Sequence, residues 1–209
     1  MLKNKALLIK EALKQYNPNV KCALTFNNIY ELVIAVMLSA QTTDKAVNGV
    51  TLTLFLKYPT FKALSNARIQ DVTEIIKPLG LSKVKAMNII AVSKKIEEDF
   101  LGEVPKTIDE LIELKGIGRK TANVILSEGF HLPGFAVDTH VLRTSQRIGL
   151  VDSNTTPLKA EKALKELFPK EDWHFMHLAL INLGRTICTS KKPRCVDCPL
   201  HELCEKNMS

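Results

Sequence analysis

The sequence predicts an all-α protein, and three observations carry that expectation. Apolar residues recur at spacings of three and four along almost the whole chain. Prolines stand at the joints between these stretches. No alternation of apolar and polar residues runs long enough to make a strand. The first helix is expected over 2–16, where charged and apolar residues alternate at helical spacing, with Pro18 after it. Helices at 29–40 and 43–57 follow, separated by the polar break Ser39-Ala40-Gln41-Thr42-Thr43-Asp44, which reads as a loop with caps. Pro59 opens the stretch 59–66, and Pro78 closes the stretch 68–77. The spans 83–99, 107–114 and 119–129 lie between Pro78 and Pro133, with Pro105 at one of their joints. The last helices are expected at 138–148, 157–167 and 172–187, with Pro157 and Pro169 at the joints. HLPGF at 131–135 is the best internal break.

Of 209 residues, 45% are hydrophobic and 24% charged, the balance of a globular protein with room for one large domain or two small ones. Disordered, collagen-like and low-complexity classes are excluded. The longest apolar run, Leu32 to Leu38, is far too short to cross a bilayer. The N-terminal stretch has no continuous apolar core or small-residue cleavage site, so it does not read as a secretory signal and a cytoplasmic location is expected. Lys and Arg number 29 against 22 Asp and Glu, leaving a formal charge of +7. That excess points weakly to a polyanionic partner.

Four of the five cysteines, Cys188, Cys195, Cys198 and Cys204, are spaced C-x6-C-x2-C-x5-C near the end of the sequence. In a reducing compartment such crowding argues against disulfides and for a four-thiolate metal site. The single C-x2-C with wide spacers favours a [4Fe–4S] cluster over zinc. Cys22 stands apart and reads as a small packed hydrophobe.

The segment Leu111–Ser127, LIELKGIGRKTANVILS, reads as helix, very short turn, helix. Gly116 and Gly118 are expected to supply positive φ and a close backbone approach. The amides of the turn and of the next helix's first turn would then suit a phosphate, with Arg119 and Lys120 adding charge. A plain helical hairpin gives the same pattern. Lys120 falls where a helix's positive end disfavours an ammonium, and Arg119 with partial burial would act the same way. A lysine held partly neutral is a nucleophile and Schiff-base former, although a second phosphate contact explains it as well. Asp138, in VDTHV, falls at an N-cap position. Capping keeps a carboxylate ionised, so the structural and catalytic readings are compatible. His140 reads as structural, and His174 with His177 as part of a packing face.

Together these residues resemble the endonuclease III family of helix-hairpin-helix DNA glycosylases. The resemblance rests on LSAQTTD at 38–44, PLGLSKVKA at 78–86, LKGIGRKTANVIL at 114–126, VDTHV at 137–141, LGRTIC at 183–188 and the cysteine tail. It implies two helical domains flanking a DNA-binding cleft. One, at 22–132, is a helical barrel with the helix-hairpin-helix; the other, 1–21 plus 133–209, carries the iron–sulfur cluster. It implies excision of oxidised pyrimidines and strand cleavage at the abasic site, by a monomer acting on double-stranded DNA. Lys120 is then the nucleophile and Asp138 its carboxylate partner. Gln41 fills the gap left by the extruded nucleotide, and Leu81 is an apolar wedge facing the opposite strand. Leu114-Lys115-Gly116 departs from the family's usual Leu-Pro-Gly.

The expected phosphate contacts are the turn at 116–120 and the lysines Lys83, Lys85 and Lys191. A metal pinning the loop TSKKPR would present Lys191, Lys192 and Arg194 rigidly. Two rival readings remain at this point. A monofunctional mismatch or alkylated-base glycosylase would need no lysine at 120, and a non-catalytic DNA-binding protein with a metal-stapled tail would need neither Lys120 nor Asp138.

Overall fold

The computed structural model describes residues 2–206, and among them there are eleven α-helices and no strand. The chain divides into two compact units: Cys22–Leu132, and the flanking segments Met1–Lys21 and Pro133–Ser209 taken together. No described helix is long and apolar enough to cross a membrane.

In the unit Cys22–Leu132 the most deeply buried element is α2 (Ile29–Leu38), whose Leu32, Val33, Ile34, Ala35 and Leu38 are 0% exposed. A helix apolar on every face must be enclosed by others. Its start is fixed by Asn28, whose side chain accepts from the Glu31 N–H at 2.9 Å, while Glu31 Oε2 accepts from the Asn27 N–H at 2.7 Å. Around it lie α3 (Asp44–Lys57), α4 (Phe61–Ser65), α5 (Ile69–Ile75) and α6 (Ser82–Phe100). Thr43 and Thr60 cap α3 and α4 with their hydroxyls. The helix expected over 68–77 ends early and the chain runs on as a 3-10 turn, Lys77–Leu79. Pro78 has no N–H to donate, and its ring crowds the turn before it. The long helix α6 packs on α4 and α5, with Ala86, Ile89, Val92 and Ile96 buried. Its ion pairs Lys94–Glu98 and Lys95–Asp99 occupy the solvent side. The pair α7 (Ile108–Glu113) and α8 (Arg119–Val124) completes the unit. The span expected as one helix to 129 changes winding, with a π-helical turn at Ile125–Gly129.

The second unit contains α1 (Leu2–Tyr16), α9 (Thr139–Arg147), α10 (Pro157–Leu167) and α11 (Trp173–Thr186). α1 buries Ala6, Ile9 and Leu13, a stripe at spacings of three and four. Pro157 takes the first helical position of α10, where a missing N–H costs nothing. Phe135, Val141, Leu164, Met176, Leu180 and Leu183 form the centre of the core. α9 and α11 approach closely at Gly184, where an added Cβ would lie 2.9 Å from His140 Cβ and 3.2 Å from Thr144 Cγ2. His177 is buried within α11, in keeping with a packing face.

One helix end carries visible strain. Leu101, which closes α6, adopts φ 54°, ψ 32° and is 91% exposed, while the Gly102 N–H donates to Ile96 C=O at 3.0 Å. This is a left-handed C-terminal cap of the kind glycine or asparagine makes more easily. Leu101→Asn relieves the strain without losing buried surface. It should raise stability by about 0.5–1 kcal/mol, read as a higher urea midpoint at unchanged slope.

Candidate active site and cysteine loop

Between α7 and α8 the chain makes a β-turn, closed by the Ile117 N–H donating to Leu114 C=O at 2.9 Å. Gly116 stands third in it with φ +89°, which a type II turn requires. A Cβ at Gly116 would also meet Met37 Cε at 3.3 Å. Lys115 holds the second position, where proline is favoured. Gly118 departs from the expected positive φ: it is extended, at φ −91° and ψ 173°. Nothing lies within 4 Å of a Cβ placed there. Neither backbone nor packing therefore demands glycine at 118; its effect is to leave bare main chain at the head of α8. Arg119 and Lys120 follow, both exposed, so the partial burial expected of Lys120 is not found.

Gln41 and Leu81 are exposed, and both adopt left-handed backbone, at φ 54° and 47°. Such a conformation costs an L residue roughly 1–2 kcal/mol and persists where its surroundings impose it. PLGLSKVKA and LKGIGRKTA share a positive-φ glycine, Gly80 and Gly116, but then part: Leu81 is left-handed, whereas Ile117, which stands at the same place in the second segment, does not have a positive φ. Lys83 is exposed. The expectation of a phosphate contact at Lys85 is wrong. Lys85 is only 8% exposed and donates to Leu38 C=O at 2.9 Å, Leu79 C=O at 3.3 Å and the Thr42 hydroxyl. Burial pushes its pKa below the usual lysine value. The signal was in the helix phase, because Lys85 falls on the same stripe as Ile89, Val92 and Ile96.

In the other unit, Asp138 precedes α9 and its Oδ1 accepts from the His140 and Val141 N–H groups, both at 2.8 Å. Its position is therefore set by the helix it caps. His140 lies beside Arg143, 3.3 Å from Nδ1 to Nη2. The same α9 holds the cysteine loop. Arg143 donates to Gly184 C=O at 2.8 Å and Cys188 C=O at 3.1 Å, and Arg147 to Thr189 C=O at 2.8 Å and Ser190 C=O at 3.0 Å.

Cys188, Cys195, Cys198 and Cys204 line one cavity of about 350 Å3, counting its open mouth, together with Ile148, Leu183 and Ile187. Burial pushes the Cys198 and Cys204 thiols up, and repulsion from neighbouring cysteines adds to this. Among the described residues no three His, Cys, Asp or Glu side chains are placed to hold a single metal ion. Lys191, Lys192 and Arg194 are exposed on the loop. Its ends are tied by the Arg194 N–H to Ile187 C=O at 3.0 Å and by the Thr189 hydroxyl to Lys192 C=O at 2.7 Å. Cys22 packs against the apolar core of its own unit.

Residues 34–170 match the model of the HhH-GPD superfamily of base excision DNA repair proteins. Endonuclease III of Bacillus subtilis (strain 168) is 47% identical over 189 residues, covering 90% of this chain and 86% of that one. Endonuclease III of Synechocystis sp. (strain ATCC 27184 / PCC 6803 / Kazusa) is 42% identical, covering 97% and 92%. A solved structure of a trapped endonuclease III–DNA covalent intermediate, its estranged-adenine complex, superposes with a TM-score of 0.93 at 40% identity. It covers 98% of this chain and 96% of that chain.

The cap at Asp138 separates two properties of one side chain. Asp138→Ala should lower stability by about 1 kcal/mol in urea unfolding, whereas Asp138→Asn, an equally good cap, should stay within a few tenths of wild type.

Proposed function

Because this chain belongs to the endonuclease III family of the HhH-GPD superfamily, we propose that it is a bifunctional DNA glycosylase and abasic-site lyase of base excision repair, acting on oxidised pyrimidines. The observation that carries the reading is Lys120. It is an exposed amine in the first turn of α8, directly after main chain that Gly118 leaves bare. That is where a nucleophile and a phosphate grip can act together.

The damaged nucleotide is turned out of the stack, because its sugar C1′ is out of reach inside a duplex. Extrusion costs a few kcal/mol, and less for a base that stacks or pairs poorly. Gln41 and Leu81 occupy the vacated space. The main-chain amides around Gly116 and Gly118, with Arg119, hold phosphates and fix the register. Lys120 Nζ attacks C1′ and the bond from C1′ to the base breaks, the base leaving with the bonding pair. Asp138, fixed by two N–H groups, stabilises positive charge developing on the sugar, and the proton that the amine loses passes to water. The resulting iminium acidifies C2′–H; loss of that proton expels the 3′ phosphate and opens the strand. Elimination breaks a C–O bond and adds nothing to phosphorus, so it needs no divalent cation.

Cys188, Cys195, Cys198 and Cys204 would hold a [4Fe–4S] cluster. The support is a cavity that all four line, where thiolates would repel one another unless a cationic group sat among them. Bound there, the cluster would stiffen the loop and supply no chemistry to the excision. Lys191 and Lys192 on that loop then dock phosphates.

Two outcomes are expected. With a chelator present, the protein should release the base from an oxidised-pyrimidine duplex and nick the strand without added base, and Lys120→Ala should lose the nick. Base release by the wild type without any nick favours the monofunctional reading, and no release at all favours a binding protein. The purified protein should contain iron and acid-labile sulfide in about a four-to-four ratio; stoichiometric zinc in place of iron would contradict the cluster.

A further inference from the structure

Lys85 joins the loops that carry two of the exposed, left-handed residues of its unit, Gln41 and Leu81. Its Nζ carries three N–H groups, and three acceptors surround it. Leu38 C=O, at 2.9 Å, ends α2 three residues before Gln41. Leu79 C=O, at 3.3 Å, lies two residues before Leu81. The third acceptor, the Thr42 hydroxyl, is adjacent to Gln41 and donates in turn to Leu79 C=O at 3.1 Å. The Lys85 main chain completes the arrangement, because its N–H donates to Leu81 C=O at 3.0 Å. One residue thus grips the Leu81 turn by its backbone and both loops by its ammonium. None of these acceptors is a carboxylate, so the lysine stitches loops rather than neutralising a buried acid. Gln41 and Leu81 are left outside the stitch, exposed.

We propose that Lys85 is a positioning residue. It clasps the Gln41 and Leu81 loops at a fixed separation, so that both side chains enter a DNA duplex as one preformed wedge. The proposal rests on the reading of Gln41 and Leu81 given above. An ordered wedge spends no binding energy on arranging itself at the moment of extrusion. A free ammonium at this position would instead have bound phosphate on the surface. Lys85 therefore acts on the step that opens the stack and not on the bond changes at C1′, which gives it a signature distinct from that of Lys120.

The test compares base excision from an oxidised-pyrimidine duplex with cleavage of a single-stranded abasic oligonucleotide, which needs no extrusion. The proteins are the wild type, Lys85→Met, Thr42→Val, and the pair variant Gln41→Ala/Leu81→Ala with and without Lys85→Met. The clasp predicts that Lys85→Met loses about ten-fold or more on the duplex, the scale of lost hydrogen bonds to a charged group, and little on the single strand. Thr42→Val should show the same pattern more weakly, and carries the test should Lys85→Met fail to fold. Added to the pair variant, Lys85→Met should cost nothing further, since the wedge it positions is gone. Unchanged duplex excision in both Lys85→Met and Thr42→Val would overturn the clasp. So would an equal loss on the single strand, or a full ten-fold loss on top of the pair variant. A pair variant that excises at the wild-type rate would overturn the wedge reading and the clasp with it. A wild type inert on both substrates would overturn the enzymatic reading beneath them.

Discussion

The carboxylate of Asp138 accepts two main-chain N–H groups at the head of α9, and much of the second unit follows from that one contact. The proposed role at the sugar asks this carboxylate to stay put and to keep one oxygen for the substrate. Capping meets both conditions, because one oxygen is spent on the helix and the other is not committed to it. The helix so capped is itself held by the close approach to α11 that Gly184 permits. Farther along, Arg143 and Arg147 take hold of the main chain at 184 and 188–190. One short helix therefore carries Asp138 at its start and braces the cysteine loop along its flank.

The unit Cys22–Leu132 handles a different difficulty. It holds an apolar and a polar side chain out in water, Leu81 and Gln41, in backbone conformations that oppose folding. Leu81 is 66% exposed and left-handed, so nothing in its own burial keeps it there. The stabilising energy comes from beneath: the enclosed helix α2, the buried stripe of α6, and the ammonium set between them. Burying a lysine without a carboxylate is expensive, and is tolerable here because three oxygens accept its protons. Strain at an exposed tip over a rigid and costly support is what a pre-arranged binding element requires.

The helices were legible because their apolar spacing is unbroken, and the hairpin because Leu-Lys-Gly-Ile-Gly allows few other turns. The N-cap at Asp138 could be read from its place before an amphipathic run. Other features escaped for reasons of environment. Lys85 looks like its exposed neighbour Lys83, and only its phase against Ile89, Val92 and Ile96 distinguishes them. Gly118 suggested positive φ by its identity alone, yet is extended, because what it supplies is bare surface and not a turn. The left-handed state of Gln41 and Leu81 has no local sequence cause, since neither residue favours it. Lys120 is exposed where burial was expected, because the short turn delivers α8 with its first residues outward.

The account stands on the amine of Lys120 bonding to the deoxyribose. The most direct measurement is to reduce the protein with borohydride while it turns over abasic DNA, digest both polymers, and locate the sugar adduct by peptide mass spectrometry. The account predicts a single modified lysine, Lys120. An adduct on Lys115, on Lys85 or on the chain's own amino terminus, with Lys120 unmodified, would contradict it.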